Sequence, residues 1–293
     1  MQNRTSRTAE QVALFRALES ARHRDRVFAD PFAVKFLPGR YRLLARAARV
    51  PAIGRRLERY LDEHWPAGPR GSAVARTRLI DDLVLEALAD GARQVVLLGA
   101  GYDSRAYRLP AMAAVRVFEV DHPATQATKQ RLLRAAVHPD RRGHVRLVPA
   151  DLTTDDLGAA LRAAGFEVVD RTVVVWEGVT NYLTAAAVDT TIRRLAAITG
   201  SGSRLIFTYV DRRALDGTGG FAGVEEWHAA VRAGGEPWTF GFVPAELPGY
   251  LAERGLALIL DQSAREAADR YLRPLGRHDP AASFYRIAAA EIR

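Results

Sequence analysis

The chain contains no cysteine. Disulfide scaffolds, thiolate metal sites and cysteine nucleophiles are therefore excluded. No apolar run approaches the roughly 20 residues that a membrane-spanning helix needs. The opening residues MQNRTSRTAEQ lack the apolar core of a secretory signal. Lysine is scarce as well: only Lys35 and Lys129 occur, so arginine supplies 40 of the 42 basic residues. That skew, alongside many alanines, reads as the codon usage of a GC-rich genome. A nucleic-acid surface needs bases clustered on one face. Here they fall in nearly every segment, often beside acids, as from Arg22 to Arg26 with Asp25. The expectation is a cytoplasmic protein that binds neither nucleic acid nor membrane, with a homo-oligomer left open.

What is present fits one large globular unit or two small ones. The 293 residues are 48% hydrophobic and 26% charged, with a net charge of +8, which is ordinary for a soluble globular chain. Residues 1–90 read as an N-terminal helical cap. Leu14, Leu18 and Ala21 share one helical face, and further helical patterns cover 31–37, 40–48 and 55–64. The Pro/Gly-rich stretch from Trp65 to Gly71 breaks the chain. A long helical period then runs to Asp90-Gly91, a stop signal.

From residue 91 to 293 the rhythm alternates strand and helix. Strands are expected at 94–98, 115–120, 145–149, 172–176 and 204–210, with helices near 123–137, 155–164 and 184–199. Such alternation implies βαβ units around a parallel sheet. Two later runs, 256–260 and 283–290, extend the sheet at one edge. Residues 212–243 interrupt the pattern with Gly and the aromatics Phe221, Trp227, Trp238, Phe240 and Phe242. They read either as a surface loop with a short helix or as a lid over a substrate pocket. Exposed aromatics in a mobile loop would need a ligand to cover them, and the lid is the favoured reading.

The chemistry-bearing stretch is Val95-Val96-Leu97-Leu98-Gly99-Ala100-Gly101. A buried strand runs into a Gly-rich turn, the place where doubly wound sheets take nucleotides. A GxG alone also describes a plain strand-to-helix turn. Asp121 ends the second strand, where a carboxylate can accept both ribose hydroxyls. The alternative is a helix start, because His122-Pro123 follows. Asp151-Leu152 and Glu177 end the third and fourth strands. Three acids in register point into one crevice. The dinucleotide fingerprint fails, since its third glycine is replaced by Ser104, and no GxxxxGKS loop occurs. An acid-lined nucleoside site suits S-adenosylmethionine better than a pyrophosphate ligand such as NAD.

These stretches resemble the leucine carboxyl methyltransferase family of class I S-adenosylmethionine-dependent methyltransferases, and within it a bacterial branch with tetracenomycin-type polyketide carboxyl O-methyltransferases. The resemblance runs from Thr8-Ala9 to about residue 185 and rests on Phe28-Ala29-Asp30-Pro31, Arg76 to Asp82, GAGYDSRAYRL at 99–109, Phe118-Glu119-Val120-Asp121 with Lys129, and Glu177 to Leu183. It implies an α/β, doubly wound Rossmann-like fold with a mostly parallel seven-stranded sheet, a helical cap and a lid insertion. It implies cofactor contacts from Arg16, Arg76, Gly99, Gly101, Asp121, Asp151, Leu152 and Glu177. Arg76 would meet a carboxylate of the cofactor or the substrate, and Tyr182 would lie near the reacting groups. Asn181, Tyr182, Trp238 and Phe240 are the candidate substrate contacts. Asn181 stands where an apolar residue is expected, which alters the pocket's shape.

A carboxylate acceptor is ionised at neutral pH, with an ordinary pKa of about 4, and needs no base. A phenol, at about 10, needs one. None of the seven histidines forms a tight catalytic motif or a pair with helical metal-ligand spacing, so no metal is expected. His228 is the one candidate base, against a reading as a solvated surface histidine. The favoured function is O-methylation of a small-molecule or peptide carboxylate. The alternatives are a phenolic O-methyltransferase, a non-catalytic methyltransferase-fold binding protein and a nicotinamide oxidoreductase.

Overall fold

Strand β1, Gln94–Leu98, is buried along its whole length. The computed structural model describes residues 7–65, 67–152 and 154–293; the first six residues and Pro66, on which parts of the leader and chain-break readings fell, lie outside them. Around β1 assemble β2 (Arg116–Asp121), β3 (Val145–Pro149), β4 (Thr172–Trp176), β5 (Arg204–Val210), β6 (Leu256–Ser263) and β7 (Tyr285–Ile292). They form one seven-stranded sheet in the order β3-β2-β1-β4-β5-β7-β6. The pairs β1–β2, β1–β4, β2–β3 and β4–β5 are parallel. Only β7 runs against its neighbours β5 and β6. This is the doubly wound, mostly parallel sheet expected from the alternating pattern.

Both faces of the sheet are covered, which explains why its central strands read as unbroken apolar runs. Before the sheet come α1 (Arg7–Ala21), α2 (Ala33–Phe36), α3 (Gly39–Ala47), α4 (Pro51–His64) and α5 (Pro69–Ala89). Between the strands lie α6 (Arg105–Arg108), α7 (Pro123–Ala136), α8 (Leu157–Ala163), α9 (Ala185–Ile198), α10 (Arg212–Leu215), α11 (Val224–Ala233), α12 (Leu247–Ala252) and α13 (Ala264–Tyr271). On one face, Val95 and Leu97 pack with side chains of α1, α5, α7 and α13. On the other, Val96 and Leu98 pack with α8, α9 and α12. Each large aliphatic side chain so buried contributes about 1.5–3 kcal/mol.

The break expected at 90/91 does not divide the packing. Val74, Ile80, Val84 and Ala87 of α5 share one core with Val95 and Ile287. Helix α5 is thus a layer of the sheet sandwich, and α1 to α4 rest outside it.

Segment 212–243 also differs from its expected character. It holds α10, α11 and an extended return, but Trp238, Phe240 and Phe242 are only 5%, 6% and 6% exposed. They are covered by protein, so they need no ligand to shield them. Phe242 packs edge-on against Phe207 and Tyr209 of β5, and its backbone accepts from Arg212 at 2.9 Å. Phe240 joins it on the α9 side of the sheet, whereas Trp238 lies on the α5 side. The expected lid aromatics are therefore split between the two faces, and Phe240 and Phe242 are core residues.

Candidate active site

The turn after β1 carries Gly99 at φ +63° and Gly101 at φ +39°, values that L side chains adopt at a cost of about 1–2 kcal/mol. A Cβ on Gly99 would also stand 2.4 Å from Val179 Cγ2. The Gly-rich loop and the loop after β4 are thus in van der Waals contact, and glycine is what allows it.

Asp121 ends β2 and turns back toward that loop. One carboxylate oxygen accepts from Gly101 N–H at 2.5 Å and the other from His122 N–H at 2.7 Å. The helix-start reading falls to His122, whose ring accepts from Ala124 N–H while Pro123 fills the first helical position. Burial pushes the Asp121 carboxyl above its usual range, and the two N–H donors oppose the rise. Each oxygen keeps a second lone pair for a ligand hydroxyl.

Glu177 follows β4 and sits between two guanidiniums. Arg76 Nε donates to Oε1 at 2.6 Å, and Arg105 Nη1 donates to Oε2 at 2.6 Å. Burial alone raises the Glu177 carboxyl, but Arg105 and Arg76 outweigh it and bring it down to about 2. Glu177 is therefore a fixed anion at every physiological pH. Arg105 continues the chain to Asp81 at 2.8 Å and Asp103 at 2.6 Å, and Asp81 accepts again from Arg108 at 2.7 Å. The Asp103 carboxyl is held well below its usual range: burial would raise it, and Arg105 outweighs burial. Three arginines and three carboxylates alternate, so their formal charges cancel. Losing one partner of such a buried set costs more than the pair contributes, because the other charge is stranded.

Arg76 leaves this chain at its open end. Its guanidinium lies 5.0 Å from the centre of the Tyr285 ring, and its terminal amino groups make no hydrogen bond among the described residues. Trp227 of α11 stacks on the Tyr285 ring at 5.9 Å and 6°. Trp238 and Phe284 lie 5.6 and 5.5 Å from Trp227. One cation and a flat apolar wall thus stand side by side. His228, stacked on Trp238 at 5.9 Å, is held neutral by burial and by nearby Arg232.

Tyr182, in a single 3-10 turn (Thr180–Tyr182) after β4, packs against the α5-side core. Burial pushes its phenol up to about 12, with Tyr285 adding to the rise, so it is a donor rather than a base at neutral pH. It stands beside Thr8 of α1 and Trp238. Thr8 N–H and hydroxyl both donate to Glu236. A Cβ on Gly101 would lie 3.8 Å from Ala9 Cβ. The first turn of α1 therefore spans the crevice from the Gly-rich loop to Tyr182. Next to Tyr182, the Asn181 side chain is buried, and neither its amide nitrogen nor its oxygen has a partner among the described residues.

The remaining expected residues fall as follows. Asp151 and Leu152 follow β3, and the Asp151 N–H donates to Asp155 at 2.9 Å; Leu152 packs on the α9 side. Arg16 is buried and committed to Asp30 at 3.0 Å and to the Tyr102 carbonyl at 2.5 Å, bracing the turn after Gly101. Phe240 lies on the opposite face from Arg76, apart from the crevice. Sequence reasoning placed Trp227 among the lid aromatics and missed Asp81, Arg105, Glu236, Phe284 and Tyr285 as site components. The signal for Asp81 was an acid on an otherwise apolar helix face; the others carried none.

The leucine carboxyl methyltransferase family model matches residues 9–196. A protein of Streptomyces coelicolor is 36% identical over 271 residues, covering 92% of this chain and 88% of its own. One of Frankia alni is 38% identical over 211 residues, covering 71% and 70%. Both are named as candidate S-adenosyl-L-methionine-dependent methyltransferases. Among solved structures, a DUF574-family protein from Streptomyces avermitilis aligns over 97% of both chains with a TM-score of 0.59 at 16% identity. A candidate methyltransferase from Thermobifida fusca does so over 92% of this chain and 94% of its own, with a TM-score of 0.59 at 17% identity. These structures share the fold.

Proposed function

This chain belongs to the leucine carboxyl methyltransferase family and is an S-adenosylmethionine-dependent methyltransferase; we propose that it methylates a carboxylate of a small-molecule natural product or peptide, forming a methyl ester. The observation that carries the carboxylate reading is Arg76, a buried cation with unused N–H groups beside the Trp227–Tyr285 stack. A planar acid would put its carboxylate on the guanidinium and its rings against Trp227, the partly exposed member of the aromatic cluster.

The donor set fits the cofactor. Fixed anionic Glu177 suits an ammonium, Asp121 suits the ribose hydroxyls, and Asp151 with Leu152 suits the adenine. Gly99 and Gly101 let the backbone approach the ligand closely. Arg16 holds the turn that carries them. When bound, S-adenosylmethionine supplies a methyl group already activated on a sulfonium sulfur. The protein's task is then alignment, which is worth roughly 7–11 kcal/mol in favourable cases. Arg76 binds and orients the acceptor oxygen, and the Tyr182 hydroxyl donates to it. Neither residue has to take a proton, because a carboxylate carries none to lose.

A phenolic acceptor is the second reading, and the observation that favours it is neutral His228 against Trp238. The test is incubation with methyl-labelled S-adenosylmethionine and extracts of the source organism, then mild alkali. Label released as methanol means an ester. Label retained on an alkali-stable product means an ether or amine, and the carboxylate reading fails.

A further inference from the structure

Among the described residues, nine large hydrophobic side chains are exposed, and five of them, Leu43, Leu44, Val50, Ile53 and Tyr60, fall on the α3–α4 hairpin. Leu43 is 68% exposed, Tyr60 55% and Ile53 47%. On α4, Ile53, Leu57 and Tyr60 follow the i, i+4, i+7 spacing of one helical stripe. Only Gly54 and Glu58 of that helix are fully buried. The stripe thus lies at the edge of the face that meets the protein: Leu57 packs against the core while Ile53 and Tyr60 stay exposed.

The same hairpin carries Arg40, Arg46, Arg49, Arg55, Arg56 and Arg59, all exposed. None of the six makes an ion pair among the described residues. Of its acids, Glu58 is spent on Arg22 and Asp62 on Arg70, leaving Glu63 as the one exposed acid. On other helices, exposed Arg193 and Arg273 each pair with an aspartate one turn away, Asp189 and Asp269. Here they stand unpaired between apolar side chains.

We propose that the α3–α4 hairpin is a docking face for an anionic membrane surface. A surface helix that alternates arginine with Leu, Ile and Tyr matches an interface whose headgroups are negative and whose boundary is apolar. Tyr60 has the amphipathic ring that settles at headgroup depth. The charge argues against two other occupants. A second copy seated on this face would bring two sets of six unpaired arginines together. A nucleic acid would answer the arginines but leave Leu43 and Ile53 against phosphate. The hairpin rests on α1 (Leu57 and Leu61 of α4 pack into the core that holds Leu14 and Leu18), and the first turn of α1 crosses the crevice. This inference does not depend on the acceptor's identity.

The test is flotation of the whole chain with vesicles of phosphatidylcholine alone and of phosphatidylcholine with phosphatidylglycerol. The expected result is at least about tenfold more protein on the anionic vesicles at low salt, with release in high salt as the charges are screened. Leu43→Glu/Ile53→Glu and Arg46→Glu/Arg56→Glu should each abolish flotation with an unchanged thermal midpoint. Leu43→Ser/Ile53→Ser replaces the first pair if its midpoint falls. Failure of the wild-type chain to float would overturn the proposal. So would flotation of the Leu43/Ile53 variants at the wild-type level, since charge elsewhere would then be responsible. Light scattering that shows a wild-type dimer, dissolved by the same substitutions, would give this face to a second copy instead.

Discussion

The Glu236 carboxylate accepts two hydrogen bonds from Thr8, one from the backbone N–H at 3.2 Å and one from the hydroxyl. The contact joins the start of α1 to the return from α11 across the mouth of the crevice. Glu236→Ala strands a helix-start N–H. The expected loss is about 1 kcal/mol, a fall of about 2–4 °C in the thermal midpoint. Bound S-adenosylhomocysteine should also leave faster. Stopped-flow release at the wild-type rate would show that this contact does not hold the crevice.

Glu177 makes stability depend on pH. Its carboxyl is lowered from about 4.5 to about 2 in the folded protein. A depressed carboxylate stabilises fully above its unfolded pKa and ceases to do so as pH falls through the folded one. The shift corresponds to on the order of 3 kcal/mol, lost between about pH 5 and pH 2. Glu177→Gln should unfold more readily than wild type at pH 7, and the gap should narrow below about pH 3. Denaturant titrations at both pH values would show it, and a gap of constant size would contradict it.

Asp121→Ala should weaken S-adenosylhomocysteine binding at least about tenfold, the loss of roughly one charge-assisted hydrogen bond. Asp121→Asn keeps one acceptor oxygen and should fall between. Calorimetric affinities equal to wild type would remove Asp121 from the ribose site.

At Gly99, space and backbone angle can be separated. Gly99→Ala brings both a contact with Val179 Cγ2 and a positive-φ cost. Val179→Ala in the same chain removes the contact alone. The double variant should recover part of the stability lost by Gly99→Ala, with about 1–2 kcal/mol unrecovered. Full recovery would mean that the angle carries no cost.

Arg76→Ala should cut turnover by about a hundredfold or more, and Tyr182→Phe by about tenfold, both with circular dichroism unchanged. Because the Tyr182 phenol is pushed up to about 12, turnover should show no Tyr182 limb below about pH 10. Wild-type turnover in Arg76→Ala would move the acceptor elsewhere.

The sheet was readable because β1, β2, β4 and β5 are buried on both faces, and continuous apolar runs report that directly. The site was readable where one strand end supplies one acid, as for Asp121 and Glu177. It was unreadable where partners come from distant segments. Arg105 meets Asp81 and Glu177 across 24 and 72 residues, and no local pattern announces such pairs. The aromatics of 212–243 show the same limit. Composition reveals that Trp238 and Phe240 are apolar, but not that the irregular return holding them passes from one side of the sheet to the other. The exposed arginine run of α4 was equally visible in sequence, yet only folding shows which of its acids are already taken.

Strand β7 lies between β5 and β6, and it follows both of them in the chain. Until its residues arrive, a growing polypeptide presents two open strand edges that nothing upstream can close. Synthesis thus leaves an open slot beside the β5 edge (204–210), and β6, which pairs with β7 alone, has no strand to fix it there. A nascent chain stalled before Tyr285 would hold that slot open for a holdase or for a foreign strand. Arrival of β7 and closure of the sheet would then be a single event.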